Sequence, residues 1–458
     1  MSKYVAYPAY KDSGVEWLGD VPQHWNMMAI KHALSIPITD GPHETPEILN
    51  SGVVFISAEA IKKDKIDFAK KRGYISYEDN ERFSKKYKPQ VGDIYMVKSG
   101  ATTGNVARVD KNIEFNIWSP LAALRPDKNL AKTDFIFYFM KSKAFFSSVE
   151  LGWSFGTQQN IGMGVIANLK IALPPVNEQQ QIANFLDNKT THLDKLIGQK
   201  QQMIGLLNEK RMALITQAVT KGLDLTVPMK DSGVEWLGDV PEHWEVIKLR
   251  FLLRENLSNG IFKKAVFWGT GCRIINVFDV YIDNDIIDES SLDRVECSQV
   301  EQQHYSATHG DFFFVRSSLK TSGVGKSAMV LNPLDEIVFE CHLVRGRPDL
   351  SKIDPRFLNL YLNALFARHY LVARANFVTM ATIDQIKFKD LSICVPDLEK
   401  QQQIADYLDT ETQKIDDMIK TVKQAIATLQ EYRTALITAA VTGKIDVRGF
   451  KSANPLEG

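Results

Sequence analysis

Apolar residues recur at helical spacing through two long stretches of the chain. One stretch runs through Leu186, Leu193, Leu207 and Leu214, with Ile197, Ile204 and Ala218 in an adjoining column. The other has Leu408, Ile415, Val422, Leu429 and Leu436, beside Ile419, Ile426 and Ala440. Steps of three, four and seven put these residues on one helix face, and a stripe this broad must be buried against another helix. About forty residues at 1.5 Å each predict a rod of about 60 Å. Asn177, with Gln180 three residues on, reads as the N-cap and capping box of the first rod.

The two stretches are copies of one another. Residues 178–224 and 400–446 align without a gap, with 23 of 47 positions identical. A second repeat is shorter and closer: residues 11–25, KDSGVEWLGDVPQHW, return as 230–244, KDSGVEWLGDVPEHW, differing only at Gln23 and Glu242. The chain therefore reads as tandem halves related by a pseudo-two-fold. A scaffold segment covers 1–25, variable domains cover 26–173 and 245–395, and long helices cover 174–222 and 396–443. A linker carrying the repeated segment covers 223–244, and a tail covers 444–458. Trp17, Trp25, Trp236 and Trp244 recur with the frame, so they read as docking residues rather than base-stacking ones. Lys400 stands where the first copy has Glu178, a small change that leaves the helix intact.

Inside the variable domains the apolar runs are short and bounded by turn residues. Residues 53–57, 93–98 and 310–316 read as strands, and 134–146 and 356–374 each as a helix. The expected class is α+β.

At 458 residues the chain exceeds one core, and its 44% hydrophobic and 24% charged content is that of a globular protein. No apolar run is long enough to cross a membrane, and the N-terminus lacks a signal-peptide pattern, so a cytoplasmic location is expected. Cys272, Cys297, Cys341 and Cys394 lie far apart and read as reduced thiols. The formal net charge of +0 argues against an indiscriminate nucleic-acid binder.

No catalytic motif is complete in the sequence. Residues 321–327, TSGVGKS, approach a phosphate-binding loop, but Lys320 replaces the first glycine that loop needs. A glycine turn carrying Lys326 is the better reading. No Asn/Asp-Pro-Pro-aromatic tetrapeptide and no Glu-x-Lys occurs, and no histidines fall at metal-ligand spacing. His342 reads as a satisfied residue in an apolar strand. The chain is expected to be non-catalytic and to hold no metal.

Binding is what remains. Between Lys62 and Lys88, ten Lys/Arg stand against five Asp/Glu, interleaved with Tyr74, Tyr77, Phe83 and Tyr87. Basic residues neutralise phosphates, and polar loop residues reach base edges. Candidate DNA contacts are Lys85, Lys86, Lys88, Lys98, Ser99, Thr102, Thr103 and Asn105, with Gln158, Gln159 and Asn160 on a further polar loop. Their counterparts in the second half are Arg316, Ser317, Ser318, Lys320, Thr321 and Lys326. Candidate helix-pairing residues are Leu186, Leu193, Ile197, Ile204, Leu207, Leu214, Leu408, Ile415, Ile419, Ile426, Leu429 and Leu436.

The SGVEWLGDVPxHW segments, the LPPVNEQQQIANFLD and VPDLEKQQQIADYLD helix openings, and the ALIT-AVT helix ends together carry a family likeness. The chain resembles the specificity subunit of a type I DNA restriction–modification system over essentially its whole length. The resemblance implies two target-recognition domains that each read half of a bipartite, asymmetric double-stranded DNA site. It also implies two long helices paired as an antiparallel coiled coil, docking two modification subunits that methylate adenine N6 with S-adenosylmethionine. Restriction/translocase subunits would add ATP- and Mg2+-dependent translocation and cleavage, so the cofactors belong to partners. A methylation-only system and a protein-binding scaffold stay open as alternatives.

Overall fold

The computed structural model describes residues 4–450, apart from 63, 151–153, 156–158, 283–284 and 378. Two compact units divide the chain, Met1–Gln201 with Lys423–Gly458, and Gln202–Val422. The long helices are Val176–Lys221 and Leu398–Val441, and each unit holds part of both. No helix among the described residues is long and apolar enough to cross a membrane.

In the first unit a four-stranded antiparallel sheet runs in the order Val106–Arg108, Ile94–Val97, Leu121–Leu124, Thr39–Asp40. Beside it lies a three-stranded sheet in which Val53–Ile56 pairs Phe115–Ile117 in parallel and Gly73–Ile75 antiparallel. The second unit follows the same plan. Its four strands are Ser258–Asn259, Leu343–Gly346, Phe312–Val315 and Ser327–Met329. Its three-stranded sheet centres on Trp268–Ile275, which is parallel to Ile337–Phe339 and antiparallel to Asp293–Val295.

One inner strand of each four-stranded sheet, Ile94–Val97 or Phe312–Val315, is apolar throughout because both its faces are covered. Alternate residues point to opposite sides of a strand. Ile94 and Met96 accordingly join the core that includes Trp25, Ile182 and Leu436, while Tyr95 and Val97 join a separate core with Ile56 and Ile117. Phe312 and Phe314 likewise meet Trp244, Ile404 and Leu408, and Phe313 and Val315 face Ile275 and Phe339. An Asp at the head of each of these strands is buried and forked by an arginine. Arg125 reaches Asp93 at 2.7 and 2.8 Å, and Arg347 reaches Asp311 at 2.9 and 2.8 Å.

One glutamine roots each long helix in its variable domain. Gln179 Oε1 accepts from Lys132 N (2.7 Å), and its Nε2 donates to the carbonyls of Leu130 (2.9 Å) and Pro174 (2.8 Å). Gln401 repeats the set with Asp354 N (2.7 Å), Lys352 O (3.1 Å) and Pro396 O (2.8 Å). Both side chains are fully buried. Removing either would strand buried backbone groups at about 1–3 kcal/mol each.

The helices meet other parts of their own units through charge. In the first unit Asp64 takes Lys141 and also Arg433 (3.1 Å), whose Nε reaches Asp194 at 2.9 Å. Burial holds Lys141 below the usual lysine range despite the aspartate. In the second unit Arg211 reaches Asp416 at 3.1 Å, next to a small core of Leu207, Ile415 and Ile419 with Ile204 against it. Leu186, Leu193, Ile197, Leu408 and Leu436 are buried as well, and Leu214, Ile426 and Leu429 are half-buried.

Several expectations need correction. The first long helix begins at Val176, so Asn177 lies inside it, and Gln180 bonds Asn184 (3.0 Å) instead of closing a capping box. Pro175 supplies the carbonyl that starts the turn. In the second helix Asp397 caps the Lys400 N–H at 2.8 Å. The two single helices expected in the variable domains are each broken in two. Thr133–Met140 and Lys143–Glu150 flank Ser142, whose hydroxyl bonds Phe139 O and Phe145 N. Pro355–Asn363 and Leu365–Ala373 meet at an extended Ala364.

The replacement of Glu178 by Lys400 is no small change either. Glu178 is buried and accepts from Tyr7 Oη (2.7 Å) and Trp25 Nε1 (3.0 Å), with His24 Nε2 at 2.7 Å. Lys400 is exposed, and a cavity of about 160 Å³ lies beside it and Trp244.

Candidate nucleic-acid interface

The two polar loops leave the central strands in matching ways. Lys98 N donates to Pro120 O (2.8 Å) and its carbonyl accepts from Ile161 N (2.8 Å). Arg316 N donates to His342 O and its carbonyl accepts from Ile383 N, both at 2.9 Å. Each loop closes on a glycine, with Gly104 N donating to Val97 O (2.8 Å) and Gly325 N to Val315 O (2.7 Å). Lys98 and Arg316 are therefore structural equivalents, and the second loop is the longer of the two.

Ala101, Thr102 and Asn105 are exposed at the first loop, and Ser99 is half-buried and bridged to Asn160. Thr103 is half-buried and bonds Gly100 O through its hydroxyl (2.6 Å). Gln158 lies outside the described residues, and Gln159 forms a short strand with Asn160. Lys85 and Lys88 are exposed on the surface of the first domain. In the second loop Arg316, Leu319, Lys320 and Thr321 are exposed, and Ser317 shares a 2.6 Å hydrogen bond with His342 Nδ1.

Four candidates are held within their own domains. Lys98 Nζ lies 3.2 Å from the buried Asp40, which also takes Lys86 at 2.6 Å. Burial would raise the Asp40 carboxyl, but these two lysines outweigh it and hold it below the usual range. Lys326 pairs with Asp285. Burial raises that carboxyl above the ordinary value in spite of the lysine. Ser318 is buried, and its hydroxyl accepts from Lys320 N and Tyr281 Oη, both at 3.1 Å. Lys98 and Lys326 are thus largely covered and paired and Ser318 is buried, whereas Lys86 keeps half of its side chain in solvent.

The glycine turn expected around Lys326 is present, with a short 3-10 helix at Thr321–Gly323. His342 does not lie in an apolar strand. It is exposed in a turn, beside Glu340 and Cys341, and the ligand atoms of the three lie within 4.8 Å of one another. Glu340 already accepts from Val277 N (3.2 Å) and His342 is engaged by Ser317, so hydrogen bonds to neighbouring segments occupy two of the three.

Sequence reasoning passed over Asn259 and Gln385. Arg316 Nη1 donates to Asn259 Oδ1 at 3.3 Å, and Gln385 Nε2 donates to the same oxygen at 3.0 Å. Asn259 is the counterpart of Asp40. Both precede a glycine, Gly41 or Gly260, on which a Cβ would fall 2.0 Å from Ile117 O or 2.1 Å from Glu340 O. The strings Thr39-Asp40-Gly41 and Ser258-Asn259-Gly260 held that signal as an imperfect repeat.

The repeated helix ends carry matching grooves. One of about 790 Å³ is lined by Met212, Ala213, Thr216, Leu225, Met229 and Leu365. The other, of about 650 Å³, is lined by Lys143, Thr434, Ala435, Thr438, Ala439 and Lys444. Ala213 and Ala435, and Thr216 and Thr438, are equivalent positions of the repeat.

Comparison with known proteins bears on both halves. Residues 32–205 and 241–428 each match the family model described as the type I restriction modification DNA specificity domain. The type I restriction enzyme MjaVIII specificity subunit of Methanocaldococcus jannaschii is 24% identical over 361 residues, covering 78% of this chain and 80% of its own length. The EcoKI specificity subunit of Escherichia coli strain K12 is 24% identical over 381 residues, covering 81% of this chain and 78% of its own. In fold, the chain is similar to one from a solved study of complex assembly and conformational transition of the type I R-M system. That likeness has a TM-score of 0.67 at 16% identity and covers 92% of this chain and 98% of the other. With nearly all of both variable domains and most of both long helices inside the matched ranges, the chain belongs to the type I restriction–modification DNA specificity family.

Proposed function

We propose that this chain is the DNA-reading subunit of a type I restriction–modification complex, and that it does no chemistry itself. Each variable domain reads one half of a bipartite, asymmetric duplex site. The two long helices pair antiparallel, set the unread gap between the half-sites, and dock two modification subunits. S-adenosylmethionine belongs to those subunits, and ATP and Mg2+ to restriction/translocase subunits.

The observation that carries this reading is one frame built twice around unlike loops. Gln179 and Gln401, Asp93 and Asp311, and the backbone bonds at Lys98 and Arg316 recur almost unchanged. The loops they support differ in length, charge and side chains. A frame repeated around unlike loops suits two reading sites for two sequences, and paired grooves on repeated helix ends suit two copies of one partner. The antiparallel pairing is supported by charge contacts inside each unit. From Asp194–Arg433 to Arg211–Asp416, the first helix steps forward by as many residues as the second steps back.

Methylome sequencing of cells that express this chain with its modification partner tests the proposal. The expected motif has two unlike half-sites separated by a fixed gap. A contiguous motif, or one with identical half-sites, would overturn it.

A further inference from the structure

Lys98 and Arg316 hold the same place in the repeated frame but meet different company. The Lys98 ammonium lies against the buried Asp40 carboxylate, which also takes Lys86 and, at 3.0 Å, His43. The ammonium is thereby engaged within the domain, on a carboxylate it shares with a second lysine. Arg316 is exposed, and the oxygen it touches belongs to an amide, Asn259 Oδ1, shared with Gln385. Among the described residues no carboxylate forms an ion pair with Arg316. The amides thus orient the guanidinium while leaving its charge and most of its N–H groups for a ligand.

The residues beneath this group are tied into the fold by hydrogen bonds. Asn259 lies on a strand paired with Leu343–Gly346. Gln385 opens the short helix Gln385–Lys389, where Asp384 accepts from Lys387 N at 2.8 Å. The Arg316 backbone is held on both sides by His342 O and Ile383 N. A planar fork of donors, fixed at its base and open at its edge, matches two acceptors on one base edge. In the major groove guanine presents such a pair in O6 and N7.

We propose that Arg316, positioned by Asn259 and Gln385, reads a guanine in the half-site taken by the second domain. The Lys98–Asp40 pair keeps the matching position of the first domain from doing the same. This inference rests on the DNA-reading function proposed above and adds the base and the residues that select it.

The test is selection from a randomised duplex pool by the full chain assembled with its modification partner, at one fixed salt concentration. In Arg316→Ala, guanine preference at one position of the second half-site falls roughly tenfold or more. The first half-site is still selected, which shows that the complex remains folded. Asn259→Ala and Gln385→Ala weaken the same position by less. Arg316→Lys keeps the charge but loses the fork, so it too relaxes that position, whereas a simple phosphate contact would survive. The proposal is overturned by a second half-site that lacks guanine, by unchanged preferences in Arg316→Ala, or by a uniform loss of affinity across sequences. A wild-type complex that selects no sequence at all would instead overturn the DNA-reading function.

Discussion

Trp25 donates its indole N–H to Glu178 at 3.0 Å, tying the repeated N-terminal segment to the first turns of a long helix 153 residues away. Tyr7 and His24 complete the clamp, and Tyr10 Oη donates to Gly443 O at 3.0 Å beside it. At the second junction Thr226, Met229 and Lys400 stand where the repeat has Tyr7, Tyr10 and Glu178.

The clamp predicts unequal responses to matched substitutions. Glu178→Lys buries a cation among donors that have lost their acceptor, and should destabilise the first unit by about 3 kcal/mol or more. Lys400→Glu places a carboxylate in the exposed first turn of a helix and should change stability by no more than about 0.5 kcal/mol. Urea denaturation of the full chain compares them, and equal losses would contradict the clamp.

Acid should weaken the first domain through Asp40. Its carboxyl is held below the usual range, so the stability it contributes is complete above the unfolded value of about 3.9. That stability disappears as pH falls through the lower folded value. Asp40→Asn should therefore lower stability at neutral pH and flatten its decline below about pH 4. Denaturation curves across that range check the sign, and an unchanged pH profile would show that the lysine pairs contribute nothing.

The grooves on the helix ends predict stoichiometry. Ala213→Arg and Ala435→Arg each add a long charged side chain at equivalent places without removing a core contact. Each alone should reduce the bound modification subunits from two to one, and together they should abolish docking. Native mass spectrometry reads the result directly, and two subunits retained on the double variant would exclude the grooves.

Helix length predicts the gap between half-sites. Adding one heptad to each long helix, near Ile204 and near Ile426, preserves the apolar register and adds about 10 Å. At about 3.4 Å per base pair the methylated motif should gain about three base pairs in its gap. Its half-sites should stay as they were. Altered half-sites with an unaltered gap would defeat the spacer role.

The long helices were legible because burial of one face forces a period that single residues can display. Leu193, Leu207, Ile415 and Leu436 show it in the sequence and lie buried in the structure. The central strands were legible for a related reason, an unbroken apolar run being the mark of a strand covered on both faces. Breaks at Ser142 and Ala364 were not, because runs such as FIFYFM hide a change of helix axis among uniformly apolar residues. The candidate interface was read only in part. Lys98 and Lys326 looked available because their carboxylate partners lie 58 and 41 residues away. Asn259 and Gln385 went unnoticed because Asn259 lies 57 residues before Arg316 and 126 residues from Gln385, the three joined only by folding.

The two-sided central strands have a consequence for descent. Ile94 and Met96, or Phe312 and Phe314, pack toward the repeated frame, while Tyr95 and Val97, or Phe313 and Val315, pack only within their own head. Mutations on the outer side can accumulate, compensate one another and rebuild the surface above them without disturbing the inherited seat below. A lineage can therefore remodel the surface of one head while the other head, and the frame that seats both, stay as they were.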